Sequence, residues 1–361
     1  MSDRVLTERE LNRALLARQL LLRRSRLPLG RALEQVAGLQ TQYVPSAYIR
    51  LWSSLERFQL AQLTRALERK RALQGTLMRS TIHVVSARDY WRFAEGIGPS
   101  RQAWRLRTNA KELGEDVGLD AVATQLRSEL AGQTWHRNEL DELLRSHGSA
   151  TWSGAWVPLV RVPPSGTWER RRADLFRLAE EWVGPSDTDE KQGLEHLLRR
   201  YLGGFGPARL TDAAGWAGVP VTKLRPAAER MPLRTFRDVD GKTLLDLPRA
   251  LLPDAATPAP VRFLPTWDAT LLVHARRTQI LPERFRPLVF STKTPHSVAT
   301  FLVDGAVAGK WRTERTGERA SLILEPFEPL PRRILGELTE EADTLVRFLE
   351  GDAGRHAVRL A

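Results

Sequence analysis

The 361-residue sequence contains no cysteine. That excludes disulfides, zinc–thiolate sites, a cysteine nucleophile and a thiolate-held iron–sulfur cluster. It also lacks any segment long and apolar enough to span a bilayer. Met1-Ser2-Asp3-Arg4 carries none of the apolar core of a signal peptide. The chain is therefore expected in the cytoplasm, with no membrane partner. The seven histidines are dispersed, so no metal constellation stands out. Gly203-Gly204-Phe205-Gly206 is not set in the strand–loop–helix context of a phosphate loop. No cofactor and no metal are expected.

Positive charge is what the chain has in excess. The formal net charge is +12 and the sequence pI about 10.6. Arginine dominates in runs such as Arg23, Arg24 and Arg26, Arg170 to Arg172, and Arg276 with Arg277. The planar guanidinium fork suits phosphate better than the point charge of lysine. A polyanion partner fits. GC-rich coding produces the same excess, so charge alone leaves the partner open.

Length and composition predict two or three globular domains. Thr7 and Glu10 form a capping box ahead of Leu11, Leu15 and Leu16. Apolar spacing predicts a second helix from Leu29 to Gln40 and a third through Leu60, Leu63 and Leu67. A β-rich stretch, Leu73 to Ser86, follows. Helices then a two-stranded ribbon is the order of a winged helix–turn–helix. The order recurs. Leu119–Leu130 and Asn138–Arg145 precede a predicted hairpin over Val157–Trp168 with Pro163-Pro164-Ser165-Gly166 at its centre. Glu195–Leu202, a helix capped by Thr211-Asp212, and Val221–Arg230 precede a hairpin around Asp240-Gly241.

After the Pro/Ala stretch Pro253–Pro260, short apolar runs predict strands at Val261–Leu264, Leu271–Val273, Leu288–Phe290, Val298–Val303, Val307–Trp311 and Ala320–Leu324. A closing helix is expected from about Thr339 to Leu349. The expected fold class is α+β, mainly α: three tandem winged helix–turn–helix units (1–90, 91–185, 186–252) and a C-terminal small β-barrel domain (253–361).

The chemistry-bearing segment is Gly38-Leu39-Gln40-Thr41-Gln42, followed by Pro45. Glutamine offers no acid or base, but its amide can hold a water, a phosphate or a base edge. From spacing alone, a polar helix end with capping bonds is the simpler reading. Other blocks change that judgement. Gly38 to Tyr48 with Leu51-Trp52, Arg79-Ser80-Thr81-Ile82-His83, Tyr201 to Ala208 with Asp212 and Trp216, Phe263 to Asp268 and Leu302 to Trp311 occur in this order. Together they resemble the bacterial winged-helix DNA glycosylases of the AlkZ/YcaQ group. The likeness covers nearly the whole length.

That resemblance implies a monofunctional DNA glycosylase excising alkylated purines, N7-alkylguanine above all, with bulky adducts and interstrand crosslinks included. The family's catalytic motif, glutamine–apolar–glutamine or aspartate, falls on Gln40 and Gln42, which puts the chain on the glutamine-x-glutamine branch. Thr41 departs from the apolar middle position. Little general-base strength is needed, since an N7-alkylated purine already carries positive charge and leaves an oxocarbenium-like sugar. The expected partner is double-stranded DNA with alkylated bases, met by a monomer at the nucleoid. Arg79 is expected to contact DNA. Arg276, Arg277, Lys293 and His296 are further candidate DNA contacts, and His83 either joins them or is a satisfied core histidine. A non-catalytic winged-helix regulator or architectural protein is the alternative; it accounts for the charge but not for the glutamines.

Overall fold

Thr7 opens the fold as the sequence predicts. Its hydroxyl accepts from the Glu10 N–H while the Glu10 carboxylate accepts from the Thr7 N–H, capping helix α1 (Glu8–Arg18). The computed structural model describes residues 4–108, 119–146, 153–272, 278–290 and 297–361.

Helix α2 (Leu29–Gln35) ends well before Gln40, its expected limit. Ala37 and Gly38 adopt positive φ of 63° and 78°, and the Gly38 N–H closes back on the Leu33 carbonyl at 2.9 Å. This is a Schellman terminator. Glycine is needed there for space as well, because a Cβ would meet the Val85 side chain at 2.8 Å. Leu39 and Gln40 then form a short strand, β1. Gln40 therefore lies on an edge strand and Gln42 just beyond it, not on the end of α2. Helix α3 (Pro45–Ser54) is buried on every side, so no polar face betrays its period in the sequence.

Helix α4 (Leu60–Glu68) leads into the first predicted hairpin, β2 (Ala72–Thr76) with β3 (Ile82–Ser86). A long helix, α5 (Ala87–Thr108), follows, its period broken by Gly96, Gly98 and Pro99. Then come α6 (Leu119–Leu130), β4 (Trp135–His136), α7 (Arg137–Ser146), α8 (Ser153–Trp156), β5 (Leu159–Arg161) and β6 (Leu175–Leu178). The expected wing over Val157–Trp168 is corrected: β5 ends at Arg161 and its antiparallel partner is β6. Pro163 to Gly166 thus sits in a longer connection rather than at a hairpin tip. Because β5 also pairs with β2, the strands merge into one six-stranded sheet, β1-β3-β2-β5-β6-β4.

Helices α9 (Ala179–Val183), α10 (Glu190–Phe205), α11 (Leu210–Ala217) and α12 (Val221–Arg230) come next. α10 crosses α5 where Gly193 meets Gly96; a Cβ on Gly96 would stand 2.6 Å from the Gly193 carbonyl carbon. Thr211-Asp212 does not cap α11. The helix starts one residue earlier, with Arg209 at the cap position, and Asp212 pairs with Arg209 at 3.2 Å from the first turn. The hairpin β7 (Arg234–Arg237) and β8 (Thr243–Asp246) turns at Asp240-Gly241 as predicted.

The C-terminal region contains β9 (Arg262–Leu264), β10 (Thr300–Val303), β11 (Ala306–Thr316), β12 (Arg319–Pro326), helix α14 (Arg332–Leu349) and β13 (Arg355–Leu360). The order β13-β12-β11-β10-β9 is an open sheet. The expected barrel is not formed, since closure needs the two edges to pair, and here β13 joins β12 in parallel while three-residue β9 ends the other edge. The chain closes on a strand rather than on its predicted helix. Leu288-Val289 belongs to a short helix, α13 (Arg286–Val289), not to a strand. Leu271-Leu272 is a turn, and Val273 lies outside the described residues.

Two large cores hold these parts together. One centres on α5, α10 and α11, with Phe93, Tyr201, Phe205 and Trp216. The other joins α2, α3 and α4 to the C-terminal sheet and α14, through Tyr48, Trp52, Phe263, Phe301 and Trp311. The glutamine strand therefore lies where the N-terminal helices meet the C-terminal sheet. No helix among the described residues is long and apolar enough to cross a membrane.

Candidate active site

β1 pairs with β3 so that Gln40 stands opposite His83, with both side chains on one face. Gln40 is 6% exposed. Its Oε1 accepts from Arg79 Nη2 at 2.8 Å. The next residue continues the ladder, with the Thr41 N–H on the Ile82 carbonyl at 2.8 Å. The exposed Gln42 then substitutes its side chain for backbone: Oε1 accepts from the Ile82 N–H at 2.8 Å. Guanidinium and backbone N–H can only donate, so both amides are fixed with oxygen toward the protein. Among the described residues, each keeps one oxygen lone pair and its Nε2 donors. Thr41 is buried, and its hydroxyl reaches the Val44 carbonyl at 3.5 Å, which accommodates a hydroxyl at an apolar position.

Arg79 is held from behind. Arg79 and Ser80, at the β2–β3 turn, both have positive φ, 54° and 57°. Such conformations persist only where surroundings enforce them. Arg79 packs against Gly218, where a Cβ would come within 2.9 Å of its backbone nitrogen. Its Nη1 donates to the Trp216 carbonyl in the last turn of α11 at 2.6 Å, a favourable place for a cation. Burial lowers the guanidinium pKa to about 10, still charged at neutral pH. α11 thus anchors the arginine that orients Gln40.

A small pocket lined by Gln19, Gln40, Ser46, Arg50, Trp267 and Asp268, among others, opens beside the glutamine strand. Trp267 again has positive φ, 62°. Asp268 is committed: its Oδ2 pairs with Arg50 Nε at 2.9 Å, and its Oδ1 accepts from the Thr270 N–H and hydroxyl. Ser46 and Thr266 hydroxyls share a hydrogen bond at 3.1 Å. These contacts tie α3 to the C-terminal region.

The sequence matches the family described as DNA glycosylase AlkZ-like over residues 33–348, a span that includes the glutamine strand, Arg79, α11 and Asp268. The chain belongs to the AlkZ-like DNA glycosylase family. Its fold is similar to that of the Streptomyces sahachiroi DNA glycosylase AlkZ, at a TM-score of 0.81 and 19% identity, over 99% of this chain and 100% of that one. A comparison with curated protein sequences found no match. Membership makes the chain a DNA-binding repair glycosylase.

In this glycosylase the structure brings Gln40, Gln42, Arg79 and His83 together. His83 is 2% exposed. Its Nδ1 stands 3.0 Å from the Thr81 carbonyl, which can only accept, so Nδ1 carries the proton of a neutral ring. Burial, with Arg79 adding repulsion, drives its pKa down to about 3. Arg276, Arg277, Lys293 and His296 lie outside the described residues. Among the described residues no cluster of three or more His, Cys, Asp or Glu side chains forms a metal site.

The Arg50–Asp268 pair, the left-handed Trp267 and the Trp216 carbonyl behind Arg79 were missed as site elements from sequence. Trp267-Asp268 and Trp216 lie in recognisable blocks, but the partners of these groups are set by tertiary contact. A left-handed tryptophan has no sequence signal.

Proposed function

We propose that this glycosylase hydrolyses the N-glycosidic bond of alkylated purines through a water positioned by Gln40 and Gln42. The observation that carries the reading is that, among the described residues, no strong free base stands beside the glutamines. The carboxylate lining the same pocket, Asp268, is ion-paired with Arg50, and the buried imidazole opposite Gln40, its pKa pushed down to about 3, is a weak base. Such a site is suited to a substrate that supplies its own driving force. Alkylation at N7 puts positive charge on the purine, so the base departs readily and leaves an oxocarbenium-like sugar. Water attacking that cation needs orientation more than deprotonation. The free lone pairs of the two fixed amide oxygens accept from the water, while the Nε2 groups donate to sugar or phosphate, which is catalysis by positioning. Among the described residues no lysine lines the pocket beside Gln40; a monofunctional enzyme that forms no Schiff base needs none there.

On this reading N7-alkylguanine is the core substrate, with bulky adducts and interstrand crosslinks admitted by an open surface. The three helix–hairpin units (1–90, 91–185, 186–252) and the C-terminal region (253–361) track one duplex as a monomer, and Arg276, Arg277, Lys293 and His296 are assigned to DNA contact by residue type. The test uses duplex containing N7-methylguanine, followed by alkali cleavage. Wild type should yield strand breaks, and the Gln40→Ala/Gln42→Ala protein should bind the duplex without yielding them. Equal cleavage by both proteins sinks the role of the glutamines.

A further inference from the structure

Arg79 also lines a second cleft, of about 200 Å³, together with Arg101, Trp104, Ala217 and Gly218. Its charge is unbalanced. Arg101 is only 9% exposed. Its Nη1 donates to the Thr76 carbonyl at 2.8 Å, while its Nε is sealed from solvent without a partner. Neither Arg101 nor Arg79 makes an ion pair among the described residues, although these form many elsewhere. Burial lowers the Arg101 pKa to about 10, opposed by Tyr90 and Glu95 and aided by Arg105, so it too is a cation at neutral pH. Two desolvated guanidinium groups without an ion-paired carboxylate among the described residues are costly. That cost is offset when an anion enters. At the rim, Trp104 is 45% exposed, with the Arg105 guanidinium 5.0 Å from its ring centroid. An exposed indole beside a cationic cleft suits a sugar–phosphate segment better than a free inorganic ion.

We propose that this cleft seats one backbone phosphodiester of the DNA, bound by Arg101 and sided by Trp104, so that the backbone is fixed next to the arginine that orients Gln40. Arg79 already gives one N–H of each terminal nitrogen to Gln40 and Trp216, so in this seat it contributes mainly charge and Arg101 the hydrogen bonds. The inference rests on the reading that duplex meets the Gln40 surface, but it concerns binding and not bond cleavage.

The experiment is therefore done on undamaged duplex with the full chain. Affinity is measured against salt for wild type and Arg101→Gln. Loss of one phosphate contact should lower the log–log salt slope by about 0.9 and weaken binding about tenfold. Duplexes carrying one neutral methylphosphonate, stepped along each strand, should include a position that weakens wild type by a similar factor and leaves Arg101→Gln unaffected. An unchanged slope, or a variant as sensitive as wild type at every position, overturns the proposal. Should Arg101→Gln fail to fold, exposed positions decide. Trp104→Glu sets a carboxylate at the rim and should cost about ten times more affinity than Leu106→Glu two residues on. Equal losses overturn it. Failure to release N7-methylguanine, with the methylphosphonate result intact, would remove the catalytic reading and leave the phosphate seat standing.

Discussion

Arg79 is the residue whose replacement most sharply separates positioning from simple DNA attraction. Its fork joins the Trp216 carbonyl at 2.6 Å to Gln40 Oε1 at 2.8 Å. Arg79→Ala removes a charge-assisted bond from the Gln40 amide, an interaction on the order of 1.5–3 kcal/mol. If that bond holds the amide in its reactive orientation, its loss appears in the transition state, where each 1.36 kcal/mol is about tenfold in rate. The single-turnover rate of base release should fall about ten- to a hundredfold. Stability should change little, by about 1 kcal/mol or less, because removing an unpaired buried cation relieves a desolvation cost while two acceptors lose a donor. Arg79→Lys keeps the charge but not the fork, and a single ammonium cannot bridge both oxygens in the same geometry. It should therefore regain DNA affinity without regaining rate. The assay is single-turnover release of N7-methylguanine at saturating enzyme, with affinity measured separately and folding checked by urea titration. An Arg79→Ala protein with wild-type rate and weakened binding would refute the argument and make Arg79 the plain DNA contact that the sequence suggests. A lysine variant with full rate would show that charge alone suffices.

Other perturbations test neighbouring parts of the site. His83 has a folded-state pKa of about 3, below its unfolded value near 6.5. The unfolded chain therefore binds more protons in that window, and stability is lost as pH falls from about 6.5 toward 3, at up to about 1.4 kcal/mol per pH unit. His83→Asn should flatten this acid limb in urea titrations at stepped pH; an unchanged limb assigns it to other groups. Asp268→Ala leaves the Arg50 guanidinium buried and without its counter-ion, at a cost of about 3–5 kcal/mol by urea titration. The volume-matched Arg50→Met/Asp268→Leu protein should recover much of that, and equal losses in the two proteins would show that the cost does not come from the unpaired Arg50 charge. Thr41→Val removes a hydroxyl whose hydrogen bond among the described residues is a long one to the Val44 carbonyl, so stability should move by about 1 kcal/mol or less and base release should persist. A large loss of rate at normal stability would make the Thr41 hydroxyl a participant.

How much of this was legible in the sequence follows from where each signal resides. Local signals survived: the Thr7–Glu10 cap, the Asp240-Gly241 turn and the β2–β3 ribbon are written within a few residues. Helix α3 was not, because burial all round erases the polar stripe that periodicity detects. Helix α5 was not, because its Gly96 serves a crossing with Gly193 that exists only in three dimensions. The barrel failed for a similar reason: alternation predicts strands but not whether the edges of the sheet meet. For the site, sequence supplied the two glutamines and the family resemblance, but not the groups that restrain them. Arg79 reaches Gln40 across 39 residues and Trp216 across 137.

Those long-range contacts carry the chemical meaning. Asp268 is ion-paired, His83 is neutral and Arg79 stays protonated near pH 7, so among the described residues beside Gln40 the site offers no strong free base. On the proposed reading this is what a glycosylase for cationic bases requires. A strong base would be superfluous for a leaving group that is already charged, and a mobile cation would repel it. A rigid pair of neutral amides instead concentrates the work on geometry, which makes the rate depend on the residues that restrain the amides more than on any ionisation near neutral pH.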